Sequence, residues 1–306
     1  MKAAVMASAL ACFVTSCARL HPTPVDATLR QAAIYQRATN QFALAEFYKP
    51  AEAETNHLAF TLAPLIIQEV DGANAPLPSP DRFGMLSFSN GTPRLNPSLA
   101  VVYWQADTVT LHGNAHARLA YWWFYSCGPP RSPMAPCLQS SEPGEGGLAV
   151  QGVRITLNSD GQPVIWEALA DSSGASLIFV SQRLEAAAAA QFGKALPGRR
   201  YATERSLEEA PNVIVARVID DGPVAMGPIA YLRAGTRSIS TLICRCMPAQ
   251  VKELRDSTSY CLRPLPPAAG QSFLPSGAQL TPRSGFWPGD TFPTKPLEEC
   301  LRLPSL

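Results

Sequence analysis

The chain has 306 residues, enough for one large domain or two modest ones and for a core that removes about 75% of the unfolded chain's surface. Its 25 basic and 24 acidic residues nearly cancel, and with only 16% of residues charged there is no field to draw in a polyanion, which excludes nucleic-acid binding through the phosphate backbone. A hydrophobic content of 46% is too apolar for a disordered chain, and 29 prolines exclude long helical bundles and coiled coils.

Met1-Lys2 is followed by an apolar run from Ala3 to Val14 broken only by Ser8, then Thr15-Ser16-Cys17 and a switch to Ala18-Arg19-Leu20-His21-Pro22. A basic start, a short apolar stretch and a small-residue exit are the parts of a secretory signal, and the run is shorter than the roughly 20 residues that span a bilayer. Val14-Thr15-Ser16-Cys17 resembles the lipobox of bacterial lipoproteins. That resemblance implies cleavage before Cys17, lipid attachment to its sulfur, and anchoring in the bacterial cell envelope. Ala18 after the cysteine implies the outer membrane, facing the periplasm. Ala9-Leu10-Ala11-Cys12 offers a second, shorter match, and ordinary cleavage after Ala18 is the alternative. The resemblance covers the N-terminus alone.

The expected organisation is a signal peptide over 1–16, a lipidated tether over 17–25, one domain over 26–263 and a proline-rich segment over 264–306. Asp26 to Tyr48 carries apolar residues at helical spacing, with Asp26 as N-cap and Pro50 as terminator, and predicts an N-terminal helix. Leu58 to Val70 reads as extended and interrupted by Pro64. Val101-Val102-Tyr103-Trp104 and Thr108-Val109-Thr110-Leu111 are predicted to meet Arg118 to Tyr125 across a Gly113-Asn114 turn. Val153 to Leu157 and Pro163 to Trp166 form a second hairpin through Asp160-Gly161. Leu177 to Val180 predicts a core strand running into a helix over Ser181 to Phe192 that Gly193 ends. Two strands lie within Asn212 to Leu232, around Asp220-Asp221-Gly222, and a last one over Ser238 to Cys244. This order predicts an α+β class: an antiparallel, hairpin-rich domain with an N-terminal helix, one mid-chain helix and a C-terminal strap anchored by Phe273, Phe286, Trp287 and Cys300.

With Cys12 lost in the leader and Cys17 given to lipid, six cysteines remain for disulfides: Cys127, Cys137, Cys244, Cys246, Cys261 and Cys300. Cys127 and Cys137 flank a proline-stiffened loop whose closure is worth roughly 2 to 3 kcal/mol, and are expected to pair. Cys244 and Cys246 sit about 6.6 to 6.8 Å apart in a strand, at the outer limit for a direct bond, so each is expected to take Cys261 or Cys300. The other reading of Cys244-Arg245-Cys246-Met247 is a soft-metal site.

Candidate chemistry is sparse. His112 and His116 bracket a three-residue loop that would set them opposite one another and within reach of one metal, with Asp107 or His57 as a third ligand. Two solvated turn histidines are the plainer reading. Glu54-Thr55-Asn56-His57 has the spacing of a carboxylate-bridged di-iron ligand pair but occurs once where that chemistry needs two. No Gly-x-Ser-x-Gly, Ser-x-x-Lys or His-Glu-x-x-His motif is present, and Gly144-Glu145-Gly146-Gly147 precedes a strand instead of opening a helix, so no cofactor is implied. Asp220-Asp221-Gly222 reads as a turn. Strand alternation sends Tyr121, Trp123 and Tyr125 to one face and Trp122 and Phe124 to the other, either as a doubly covered central strand or with Tyr121, Trp123 and Tyr125 stacking on a glycan or peptide. The expectation is a lipid-anchored envelope protein with a binding or structural role and an envelope protein or glycan as partner. The alternative is an envelope enzyme, either a hydrolase with a dispersed site or a metal-dependent protein using His112 and His116.

Overall fold

The computed structural model describes residues 45–51, 57–70, 82–89, 92–126, 148–169, 176–205, 213–222, 224–244, 257–265 and 297–305. In chain order the elements are β1 (Ala45–Pro50), α1 (Leu58–Thr61), β2 (Leu65–Glu69), β3 (Phe83–Ser89), β4 (Thr92–Asn96), β5 (Val101–Leu111) and β6 (Asn114–Ser126). There follow β7 (Leu148–Leu157), β8 (Pro163–Leu169), β9 (Ser176–Ser181), α2 (Gln182–Phe192), β10 (Val213–Ile219), β11 (Pro228–Leu232), β12 (Ile239–Cys244), β13 (Thr258–Pro264) and α3 (Leu297–Cys300).

Eleven strands form one continuous path, β10-β9-β8-β7-β6-β5-β13-β1-β2-β11-β12, with the β3–β4 hairpin attached to the far end of β6. The path's two end strands, β10 and β12, come back beside each other, and the Arg217 guanidinium donates to Thr241 Oγ1 across the gap at 3.2 Å. One cluster of buried side chains draws on all eleven strands, including Tyr48, Ile66, Val102, Trp123, Val153, Phe179, Ile214, Leu242 and Tyr260. A sheet that gives residues from every strand to one cluster is curled around it. The architecture is therefore a nearly closed, barrel-like β-sheet with a solid core, and the α+β hairpin domain expected from sequence is corrected to a mostly β fold.

The correction has local causes. Ala45-Glu46-Phe47-Tyr48 was expected to end a helix, but it pairs with Ile66-Ile67-Gln68-Glu69 as β1, which places Tyr48 in the core. The residues before Ala45 lie outside the described set. Several pairings are parallel and far apart in sequence: β13 lies between β5 and β1, and β2 runs alongside β11. β9, α2 and β10 form a parallel crossover unit, in which Ser181 Oγ caps α2 by accepting from Leu184 N–H and Gly193, at φ 81°, ends it.

The β5–β6 hairpin also turns one residue earlier than expected. Leu111 pairs with Asn114, and the two loop residues His112 and Gly113 both have positive φ, 49° and 80°. Both central residues at positive φ is the geometry that matches the twist of paired strands, and Gly113 adopts it without steric cost. β7 and β8 join through a loop in which Asn158 Oδ1 accepts from the Asp160 and Gln162 N–H groups.

Candidate functional site

Both mouths of the barrel are stopped by protein. At one, α1 lies across the opening with Ala59, Leu62 and Ala63 fully buried. Backbone N–H groups of Leu62, Ala63 and Gly227 satisfy the Leu58, Phe60 and Thr61 carbonyls, and core tyrosines reach up to two others: Tyr121 Oη donates to Ala59 O at 2.8 Å and Tyr260 Oη to Pro64 O, just beyond the helix, at 2.7 Å. At the opposite mouth Tyr125 Oη donates to Gln68 Oε1 at 3.3 Å, and Tyr48 Oη donates to Glu46 Oε2, whose other oxygen, Oε1, lies 3.8 Å from the Arg82 guanidinium. Burial, then the Glu46 hydrogen bond and charge, push the Tyr48 phenol far above its ordinary range. Arg237, only 8% exposed and held at φ 56°, covers the Tyr125 ring at 4.9 Å and donates to Ser126 O. Its loop is fastened by Glu69, which accepts from Ala234 N–H and faces Arg233. Arg237 is a residue that sequence reasoning passed over, although Arg233-Ala234-Gly235-Thr236-Arg237 is a recognisable turn between two apolar runs.

The open feature lies on the α1 side, where β10 and β12 approach without pairing. A partly open cleft of about 30 Å³ lies there. Ile219, Met226, Pro228 and Trp166 supply apolar wall, and Val224 is 55% exposed at its edge. Gln162, Arg183, Asp220 and Asp221 supply polar groups. Asp221 Oδ2 accepts from the Arg183 N–H at the start of α2, at 2.8 Å, where the helix dipole favours a carboxylate. The Asp220 carboxylate and the Arg183 guanidinium are exposed and have no hydrogen-bond or ionic partner among the described residues. Trp166 is buried, and its indole Nε1 meets no acceptor among the described residues. Trp122 and Trp123 share that trait but lie in the packed interior away from the cleft. Sequence reading placed Asp220 and Asp221 in a turn; in the structure they follow β10 in irregular chain that borders a cleft.

The other expected site residues fall elsewhere. His116 pairs across the hairpin with Val109, not with His112, and its buried Nδ1–H donates to Leu157 O at 3.1 Å. His112 in the turn is held by the C-terminal segment: its Nε2–H donates to Leu303 O at 3.0 Å and its backbone N–H to Glu298 Oε1. Asp107 is a bidentate partner of Arg118, and His57 Nδ1 accepts from Ala59 N–H to cap α1. These are hydrogen-bonding duties, and among the described residues no three His, Cys, Asp or Glu side chains converge as metal ligands.

Tyr121, Trp123 and Tyr125 all face the barrel interior and are fully buried, while Trp122 and Phe124 lie in a second cluster with Leu86, Val101 and Tyr103 against the β3–β4 hairpin. Both faces of β6 are covered, so the three expected stacking rings have no surface to offer a ligand. Cys17, Cys127, Cys137 and Cys246 lie outside the described residues. The Cys244 side chain also lies outside the described set; Cys261 is exposed on β13 with its thiol free, Cys300 is half-buried at α3, and no disulfide joins these two.

Among the described residues the fold is a nearly closed, barrel-like sheet around an aromatic core, with a cleft at the seam between β10 and β12. Comparison with protein families, with curated proteins and with solved structures finds no match to this chain.

Proposed function

We propose that the protein is a lipid-anchored component of the bacterial cell envelope, held at the outer membrane facing the periplasm, whose barrel binds a partner at the seam cleft. The observation that supports a binding role is the cleft itself. It sets an apolar wall of Ile219, Met226, Pro228 and Val224 beside the exposed Asp220, Asp221 and Arg183 side chains. The support for the anchor is the Val14-Thr15-Ser16-Cys17 lipobox. Diacylation or triacylation of Cys17, at about 0.8 kcal/mol per buried methylene, makes attachment effectively permanent. Among the described residues no helix is long and apolar enough to cross a membrane. In that oxidising compartment Cys127 and Cys137 pair and close their proline-rich loop.

The anchor is tested by feeding cells an alkyne-tagged fatty acid and capturing the protein. Label is expected on the wild-type chain and on Cys12→Ser, and is lost in Cys17→Ser. A mature protein that carries no acyl chain overturns the reading.

A further inference from the structure

β13 pairs with β5 only from Val101 to Trp104, and its ladder ends where the Leu265 N–H donates to Trp104 O. Beyond that point β5 continues to Leu111 with β6 on one side and, among the described residues, no strand on the other. Leu111 and Asn114 close a two-residue turn and bond each other, so alternation aims the backbone groups of Gln105, Asp107 and Val109 at β6 and those of Ala106, Thr108 and Thr110 away from it. The bond to Trp104 O fixes the same parity. The donor that would follow Leu265 in this alternation is residue 267, a proline with no N–H to give Ala106 O. Ala106, Thr108 and Thr110 are all exposed. Sheet edges are ordinarily guarded by lysine or proline, and Gln105 to Thr110 contains neither; its one charge, Asp107, is neutralised by the bidentate Arg118.

From this open edge we infer that two copies of the chain associate by antiparallel pairing of their β5 strands about a two-fold axis at Thr108. The open stretch is bounded by Trp104, which Leu265 already fills, and by the turn at His112, so the register that uses all of it sets Thr108 against Thr108 of the second copy. Ala106 then exchanges backbone hydrogen bonds with Thr110 of the second copy, and the facing threonines form a favourable cross-strand pair. Asp107 lies beside Val109 of the second copy and Gln105 beside Leu111, so no like charges meet. A register centred on Asp107 sets two carboxylates opposite each other, and one centred on Val109 carries Ala106 past the strand end to the turn residue His112. The edge is thus complementary to itself in the one register its length allows. The inference is independent of the seam cleft and of the lipid anchor.

The test is sedimentation equilibrium of the full chain in a detergent matched in density to the solvent, with micelles in excess over protein. A monomer–dimer equilibrium is expected, with a dissociation constant on the order of 100 µM, as for a small interface. Thr108→Lys and Thr108→Glu each place like charges opposite one another across the axis, and each is expected to weaken dimerisation about fivefold, less so in high salt. An equimolar mixture of the two variants pairs opposite charges and is expected to regain at least the wild-type affinity. Gln191→Lys, on the exposed side of α2, leaves dimerisation unchanged. Unchanged thermal transitions of the Thr108 variants assign the loss to the edge and not to folding. Amide exchange at Ala106, Thr108 and Thr110 is expected to slow as chain concentration rises. A wild-type chain still monomeric at about 1 mM, a dimer indifferent to both charges, or a mixture that fails to recover overturns the inference. Edge amides already protected in the monomer overturn it too, because another segment of the same chain then covers the edge.

Discussion

Arg154 and Glu167 face each other across β7 and β8 on the outer face of the barrel, with guanidinium to carboxylate distances of 2.5 and 2.7 Å. Burial disfavours the Arg154 charge, but the Glu167 carboxylate and its hydrogen bonds, helped by Asp107, outweigh that and raise the guanidinium's pKa above its ordinary value. Glu167 is 2% exposed and the Arg154 side chain 12%, so removing the Glu167 charge leaves a mostly buried cation without its bidentate carboxylate. Glu167→Gln is therefore expected to cost about 3 kcal/mol, read as a lower urea midpoint. A loss below about 0.5 kcal/mol would mean that water already reaches the pair. Close packing leaves a different mark at Gly152, which pairs with Trp122: a Cβ there would lie 2.5 Å from Tyr121 O and 2.8 Å from the Trp122 ring. At this scale alternation made the two faces of β6 legible. Which face met the core, and that the second was covered too, depended on the distant β3–β4 hairpin.

Among the elements, those with local signatures were readable. The Asp160-Gly161 hairpin, the Ser181 to Phe192 helix and the strands over Leu177 to Val180 and Ser238 to Cys244 carry their turn residues or caps within a few positions. β1 misled because Phe42, Leu44, Ala45, Phe47 and Tyr48 satisfy a helical spacing as readily as a strand one, and only pairing with β2 and β13 decides between them. β13, ending at Pro264, borders the proline-rich segment and has no alternation strong enough to announce it. The C-terminal segment docks through α3 and the residues after it: Leu297, Leu301 and Leu303 are buried with Ile178, Val180 and Leu184, and the Arg302 guanidinium donates to Ala202 O and Lys194 O. Leu301→Ala is expected to cost about 3 kcal/mol by urea unfolding, from lost burial and the cavity left under α2. An effect under about 1 kcal/mol would show that this segment contributes little to the barrel's stability.

For the molecule as a whole, the solid aromatic core sets the response to alkali. Burial raises the pKa values of Tyr48, Tyr103, Tyr121 and Tyr201 in the folded chain, whereas in the unfolded chain they ionise near pH 10. Below that pH both states hold the phenol protons and these groups add no pH dependence. Above it the unfolded state binds fewer protons than the folded one, so stability falls as pH rises from about 10 towards the folded values. The urea midpoint is expected to be level across pH 8 to 10 and to drop steeply by about pH 11.5, with tyrosinate absorbance of these residues appearing together with loss of near-ultraviolet dichroism. Ionisation of all tyrosines at pH 10 with the dichroism intact would contradict this core.

The address at the N-terminus, the near-zero charge, the hairpin turns and the capped mid-chain helix are short-range properties, and the sequence by itself determined those expectations because their causes lie within a few residues. Closure of the sheet did not follow from it. Joining β5 to β13, β13 to β1 and β2 to β11 requires parallel pairings between segments widely separated in the chain, and period-2 alternation is the same whichever neighbour a strand takes. The seam and its cleft exist only because β10 and β12 end that path side by side without pairing. Tertiary structure alone therefore turned Asp220 and Asp221 from turn residues into the border of a candidate site, and turned Tyr121, Trp123 and Tyr125 from candidate ligand platforms into the core that holds the barrel shut.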